Sequence, residues 1–204
     1  ACAPFRRLHL CHHNLESISN YDSNAKHKLL LDVCMAAKYE GDSIKTHYPQ
    51  HQLTNKDSQI CTVLARSFAD IGDIVRGKDL FLGNDKENKQ RKKLDDKLKE
   101  IFGKIHDDVT KTNGELQTRY NDDTDKNYYQ LREDWWIANR DQVWKAMTCS
   151  NELKDNRYFR ATCDINNEKG QYQAKDKCRC NDNQVPTFFD YVPQFLRWFE
   201  EWAE

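Results

Sequence analysis

Apolar residues recur along most of this chain at intervals of three and four, and only 7 Gly and 4 Pro interrupt them, so the pattern predicts helices with little strand. A first helix runs from about Asn24 to Tyr39 with Leu29, Leu30, Val33, Ala36 and Ala37 inward. It is expected to stop near Gly41, and Thr46 to Asn55 then reads as a loop holding His and Gln. Asp57 to Arg76 is the clearest helix: Asp57 or Ser58 can cap it, Ile60, Leu64, Phe68, Ile71 and Val75 line one face, and Gly77 can end it. Gly72 inside it costs about 1 kcal/mol relative to Ala and points to a close backbone approach.

After a turn around Leu82 to Asp85, a charged helix is expected from about Glu87 to Val109, with Leu94, Leu98, Ile101, Ile105 and Val109 as its apolar stripe. Thr110 to Asn127 is polar, carries the turn signal Asn113-Gly114, and reads as a surface loop. Helical spacing resumes from Tyr128 to Met147, where Trp135, Trp136 and Trp144 each need a partner for the indole N–H when buried. No sustained period runs from Cys149 to Val185, a long loop that its cysteines would hold. Asp190 and Pro193 then open a last helix in which Phe195, Leu196, Phe199 and Trp202 form a stripe expected to be core. Glu200, Glu201 and Glu204 suit a helix C-terminus poorly, so the natural polypeptide is expected to continue. The fold class is therefore all-α: a helical bundle with long loops.

Composition narrows the function. The 204 residues include 9 Phe, 9 Tyr and 5 Trp, enough for a sizeable aromatic core in one or two domains. The 32 Lys and Arg nearly balance 33 Asp and Glu, so net charge selects no partner. No apolar run reaches the ~18 residues of a membrane span, and the first residues hold no secretory signal core, so no direct membrane insertion is expected. Eight cysteines are too many and too scattered for an ordinary cytosolic enzyme and suggest disulfides in an oxidising environment.

Cys178 and Cys180 invite a zinc reading with His12 and His13 as distant ligands, but structural zinc wants pairs spaced by two to four residues and a second such pair. Two disulfides anchoring one loop explain the spacing better. No nucleophile elbow, phosphate loop or metalloprotease motif occurs, so neither an enzyme nor a cofactor is expected. Asp107-Asp108 and Asp122-Asp123 lack the ligand alternation of a calcium loop.

The basic stretch from Lys86 to Lys104 is more informative. Lys89, Lys93, Lys97 and Lys104 fall along one flank of the apolar stripe, a geometry that presents ammonium groups to sulfate or sialate. Asp96 and Glu100 among them support the competing reading of ordinary surface ion pairs. Arg91, Lys92 and Lys99 are further candidate polyanion donors, and Lys175, Lys177 and Arg179 form a second candidate cluster. No exposed aromatic platform interleaves the run, which argues against nucleic acid.

Five stretches together resemble one known family: ACAPFRRLHLC at Ala1 to Cys11, LLLDVCMAAKYEGDSI at Leu29 to Ile44, CTVLARSFADIGDIVRGKDLF at Cys61 to Phe81, REDWWIANRDQVWKAMTC at Arg132 to Cys149, and DYVPQFLRWFEEWAE at Asp190 to Glu204. They look like the Duffy-binding-like fold, in particular the alpha-type domain of erythrocyte membrane protein 1 of the malaria parasite. The resemblance implies a disulfide-stabilised adhesion module of a variant surface antigen, on the extracellular face of the infected erythrocyte and part of a larger membrane-anchored protein.

Implied partners are a host cell-surface glycan or protein receptor in rosetting or cytoadhesion (sulfated glycans, blood-group sugars or a host protein), antibodies, and adjacent domains of the parent. Residues 1–56 would be the end of a first subdomain with the first helices, and 57–204 a helical second subdomain. Asn84 to Asn127 and Ser150 to Val185 would be the variable segments. The family pattern also suggests Cys34 with Cys149, Cys61 with Cys178, and Cys163 with Cys180. Cys2 and Cys11 would pair upstream of this chain, or with one another. The alternative reading is a structural and antigenic spacer that orients an adjacent receptor-binding domain and has no ligand of its own.

Overall fold

A computed structural model describes residues 2–11, 15, 24–111, 113–120, 125–164, 171–181 and 183–203. His12, His13, Asp122, Asp123 and Glu204 lie outside the described residues. The helices are α1 (Phe5–Leu8), α2 (Ala25–Thr54), α3 (Ile60–Arg76), α4 (Asp85–Thr110), α5 (Gly114–Arg119), α6 (Tyr129–Met147) and α7 (Gln194–Ala203). Between α6 and α7 lie two single 3-10 turns, Asn151–Leu153 and Phe189–Tyr191, and a small antiparallel pair, β1 (Ala161–Asp164) with β2 (Gln171–Gln173).

The bundle forms around α3, which packs against α1, α2, α6, α7 and the Phe189–Tyr191 turn and buries all but two of its residues. Phe68 sits between Trp136 and Trp144, its ring centroid 5.1 Å and 5.2 Å from theirs. The close approach expected at Gly72 is real: a Cβ there would lie 2.7 Å from the Trp136 ring. Trp136 Nε1 donates to Asp190 Oδ2 and Trp144 Nε1 to the Cys178 carbonyl, whereas Trp135 Nε1 is buried without a partner among the described residues.

Helix boundaries shift where local contacts outweigh local signals. α2 does not stop at Gly41 but runs on to Thr54, replacing the expected loop. Gly41 marks a helix crossing, since a Cβ there would overlap the Met147 carbonyl oxygen of α6. Tyr48 then donates to the Ser58 carbonyl at 2.6 Å and holds the extension, and Pro49 sits on a solvent-facing turn where it forfeits a single backbone bond.

Neither Asp57 nor Ser58 caps α3, which starts after Gln59 without a side-chain cap. Its end is as expected: Gly77 has φ 73°, and Lys78 N–H reaches back to the Asp73 carbonyl at 2.8 Å. α4 begins two residues earlier than expected because Asn84 and Glu87 form a capping box. The expected surface loop after α4 contains α5, capped by Asn113 and tied to α6 by Arg119 and Tyr120 on Asp134.

Two disulfides hold the segment between α6 and α7: Cys61–Cys178 and Cys163–Cys180. Cys178 and Cys180 thus anchor one loop at neighbouring points. The third suggested bridge is absent, and Cys34 and Cys149 are thiols. Past Met147 the chain follows α2 away from Cys34, to where Ser150 and Glu152 both meet Lys45. Cys34 lies seven residues the other way from Gly41, about 10 Å of helix rise, and a disulfide needs Cα atoms within about 7 Å. Cys2 and Cys11 are also unpaired, so neither bridges the other.

The largest departure is α7. Its apolar stripe faces outward, with Phe195 49%, Phe199 70% and Trp202 52% exposed, while Gln194, Arg197 and Trp198 are buried. The reason lies on α3, where Asp70 and Asp73 are buried one turn apart on the face that α7 covers. Two buried carboxylates demand cations and donors, and the polar side of α7 supplies them.

Candidate functional site

Two regions carry dense charge, and they differ in what remains free. The first joins α1, α3 and α7. Asp70 Oδ2 accepts from Arg6 at 2.8 Å, and its Oδ1 accepts from Arg197 at 2.8 Å and Gln194 at 3.1 Å. Asp73 accepts from Arg76 and Arg197, and Glu201 closes the far side on Arg6 at 2.8 Å. Next to it, Asp190 takes a two-pronged grip from Arg140 at 2.9 and 2.6 Å. Arg132, fully buried, donates to the Val75 and Ile74 carbonyls, where the dipole at the end of α3 favours a cation. These groups pair with one another inside the protein, with Arg197 Nε alone among the named nitrogens of this network buried without a partner among the described residues, and the network is scaffold.

Burial pushes the Asp73 carboxyl up to about 6, against the pull of Arg197 and Arg76. Burial works in the same direction on Asp70, but Arg6 and Arg197 outweigh it and hold Asp70 below the ordinary carboxylate range. Between the ordinary value of 3.8 and about 6, folded Asp73 holds a proton that the unfolded chain releases. Its contribution to stability is therefore full below that window and declines as pH rises through it, by at most ~1.4 kcal/mol per pH unit. Denaturant unfolding from pH 4 to 6 should show this slope, and Asp73→Asn should flatten it. An identical slope in the variant would refute the assignment.

The second region is the outer surface of α4, where burying Leu94, Leu98, Ile101, Phe102 and Ile105 turns the lysines to solvent. Lys86, Lys89, Lys93 and Lys97 form no ion pair among the described residues; the first three are exposed and Lys97 is partly so. Lys86, Lys93 and Lys97 share one flank, with Lys89 next to it on the outer ridge. Lys86 was missed as a candidate, although its spacing to Lys93 and Lys97 is the signal that finds it. Lys104 belongs to the same flank but is engaged by Glu100 at 3.4 Å.

The remaining candidates separate from this row. Lys92 lies about 140° around the helix from Lys97. Lys99 pairs with Asp95 at 3.0 Å, and Arg91 Nη2 donates to the Asp79 carbonyl at 2.9 Å while its guanidinium lies over Phe81. On that side a cleft of about 280 Å³ opens between α4 and the end of α3. In the second cluster, Lys177 donates to Asn151 and the Cys149 carbonyl, and Arg179 to Thr148 and the Lys145 carbonyl. Both brace the loop. Lys175 is exposed on its own.

Among the described residues no group of three or more His, Cys, Asp or Glu is placed to hold a metal ion, and no helix is long and apolar enough to cross a membrane. The free chemistry of this surface is a row of ammonium groups.

Comparison with known proteins agrees with the five sequence blocks. The Duffy binding domain family matches residues 1–197. The Duffy receptor of Plasmodium vivax (strain Salvador I) is 26% identical over 99% of this chain, which spans 15% of that protein. Among solved structures, the NTS-DBL1(alpha-1) domain of PfEMP1 from the Plasmodium falciparum varO strain is 44% identical with a TM-score of 0.76, covering 100% of this chain and 43% of that one. A PfEMP1 DBLβ domain bound to human ICAM-1 is 32% identical with a TM-score of 0.68, covering 98% of this chain and 39% of that one. The higher identity is to the alpha-type domain.

Proposed function

The chain belongs to the Duffy binding domain family, and on that premise we propose that it is an extracellular adhesion module of a variant surface antigen on infected erythrocytes, contacting a sulfated glycan of the host cell through α4. The observation that carries this reading is the set of ammonium groups at Lys86, Lys89, Lys93 and Lys97, none held by an internal carboxylate among the described residues. From Lys86 to Lys97 they extend about 16 Å along the helix. Such a row matches a linear polyanion better than a single small anion, and its attraction weakens with salt. That a related DBLβ domain was solved with a host receptor supports adhesion as the general role.

Retention of the chain on immobilised heparin tests the reading. The chain should elute well above ~0.15 M salt, and Lys93→Glu with Lys97→Glu should lower its affinity about tenfold or more at that ionic strength. Absent or salt-insensitive retention, or retention unaltered by the charge reversal, would sink it.

The outward apolar stripe of α7 favours a second reading, in which the segment is a structural and antigenic spacer that orients an adjoining receptor-binding domain. That reading requires that the intact module bind no host ligand and that its deletion disrupt binding by the neighbour.

A further inference from the structure

The last three turns of α2 carry chemistry that the lysine row on α4 does not use. His47 and His51 are both exposed and four residues apart, which puts them about 40° apart around the helix and about 6 Å apart along it. Side chains at that spacing meet over one turn. A loop from Thr46 to Asn55 would have scattered the two rings; the helix brings them together. His47 Nδ1 lies 2.8 Å from the Ser43 carbonyl. A carbonyl only accepts, so Nδ1 carries the proton and the lone pair of the neutral ring sits on Nε2. His51 Nδ1 is likewise occupied, by the Asn55 side-chain amide at 3.3 Å. Both rings therefore keep the same nitrogen, Nε2, for a ligand, and a bond at the other nitrogen is what orients a metal-binding imidazole. When His51 binds through Nε2 its proton is on Nδ1, and the Asn55 amide turns to accept it.

We propose that His47 and His51 form a two-point site for a late first-row divalent metal ion of the zinc type, held through the two Nε2 atoms and stapling the end of α2. Imidazole suits such ions, whereas Mg²⁺ and Ca²⁺ prefer oxygen. Two imidazoles fall short of the three protein ligands of a catalytic zinc site, so water completes the coordination. No cation crowds the pair: the one lysine on these turns, Lys45, lies about 160° around the helix from His47 and is held by Asp42 and Glu152. The staple acts where the helix is weakest. Pro49 sits between the two rings and removes a backbone bond, and Pro49 to Thr54 are all exposed, so packing holds this end only lightly. This site is independent of the polyanion reading of α4.

The test titrates the whole chain with Zn²⁺, with Mg²⁺ as the hard-ion control. Cys2 and Cys149 are exposed thiols that take up zinc themselves, so total uptake does not report the site. The signals followed by NMR are the ring nitrogens of His47 and His51, against those of His27, which is exposed near the start of the same helix with Leu30 and Leu31 one turn on. His47 and His51 should respond together, at a zinc concentration about tenfold or more below that needed at His27, and Mg²⁺ should move none of them. His51→Ala should weaken zinc binding at His47 about tenfold or more. His51→Gln with Gln52→His should do the same, because it keeps two histidines but turns the second about 140° away. At free zinc ten times the dissociation constant, amide exchange at His51, Gln52 and Leu53 should slow about tenfold.

Circular dichroism verifies that each variant, all at exposed positions, is folded. Different zinc affinities at His47 and His51 in the native chain, or an unaltered affinity at His47 in either variant, would overturn the two-point site. Amide exchange unaffected by saturating zinc would overturn the staple.

Discussion

Asp70→Ala is expected to lower the unfolding free energy by about 3–5 kcal/mol, a large part of the 5–15 kcal/mol typical of a domain. The carboxylate is fully buried and ties its own helix α3 to two others, through Arg6 of α1 and through Gln194 and Arg197 of α7. Removing it strands Arg197, whose side chain is 1% exposed, with Asp73 as its sole remaining carboxylate partner among the described residues. The cost is mainly that of a buried guanidinium left short of a counter-charge. Two readouts check the mechanism. Native-state hydrogen exchange should show α1 and α7 opening at lower free energy than α2 and α6, and Asp70→Ala with Arg197→Met should recover part of the loss. A loss under ~1 kcal/mol, or a double variant as unstable as the sum of the two changes, would contradict this account.

The second large effect concerns the long disulfide. Replacing Cys61 and Cys178 with Ala should cost about 4–5 kcal/mol, and replacing Cys163 and Cys180 about 3 kcal/mol. The chain-entropy argument sets the order, because the first bridge closes 117 residues and the second 17. Packing adds to the difference. Cys61 and Cys178 are both buried at the core edge, and the Cys178 carbonyl accepts the Trp144 indole N–H at 3.0 Å. Losing that bridge frees the loop from α3 and the partner of Trp144 with it. Denaturant unfolding of the two double variants measures both values, and the reverse order would show that local strain or residual unfolded structure, rather than loop closure, dominates.

Much of this was legible from the chain itself, and the exceptions have physical causes. The inward faces of α3, α4 and α6, the stop at Gly77 and the close approach at Gly72 follow from local spacing that tertiary contacts reinforce. Gly41 misled because a glycine that ends a helix and one that admits another helix have the same sequence signature; only the Met147 contact separates them. The Cys34–Cys149 pairing fails because the chain leaves α6 alongside Lys45, on the far side of Gly41 from Cys34, a placement with no short-range signal.

The face of α7 differs from expectation because an apolar stripe at helical spacing does not by itself say which side of the helix is buried. Arg197 and Gln194 opposite it, with Asp70 and Asp73 three apart amid apolar neighbours on α3, hold the correct information. At α4, spacing already placed Lys93 and Lys97 on one side. The commitment of Arg91, Lys99 and Lys104 to Asp79, Asp95 and Glu100 depends on side-chain direction, and for Arg91 on a residue of another segment, which spacing alone does not fix.

The ion pairs beneath α7 have a geometric effect beyond their energy. A helix packed by oily side chains can roll or slip by a fraction of a turn at small cost, because its attraction has no preferred heading. Arg197 bridges two carboxylates a turn apart on α3, and Arg6 grips Glu201 from the side, so neither rotation nor translation of α7 preserves all of these bonds. The helix is keyed to its support. Phe195, Phe199 and Trp202 are consequently presented at a fixed azimuth, as a rail whose bearing is set from within.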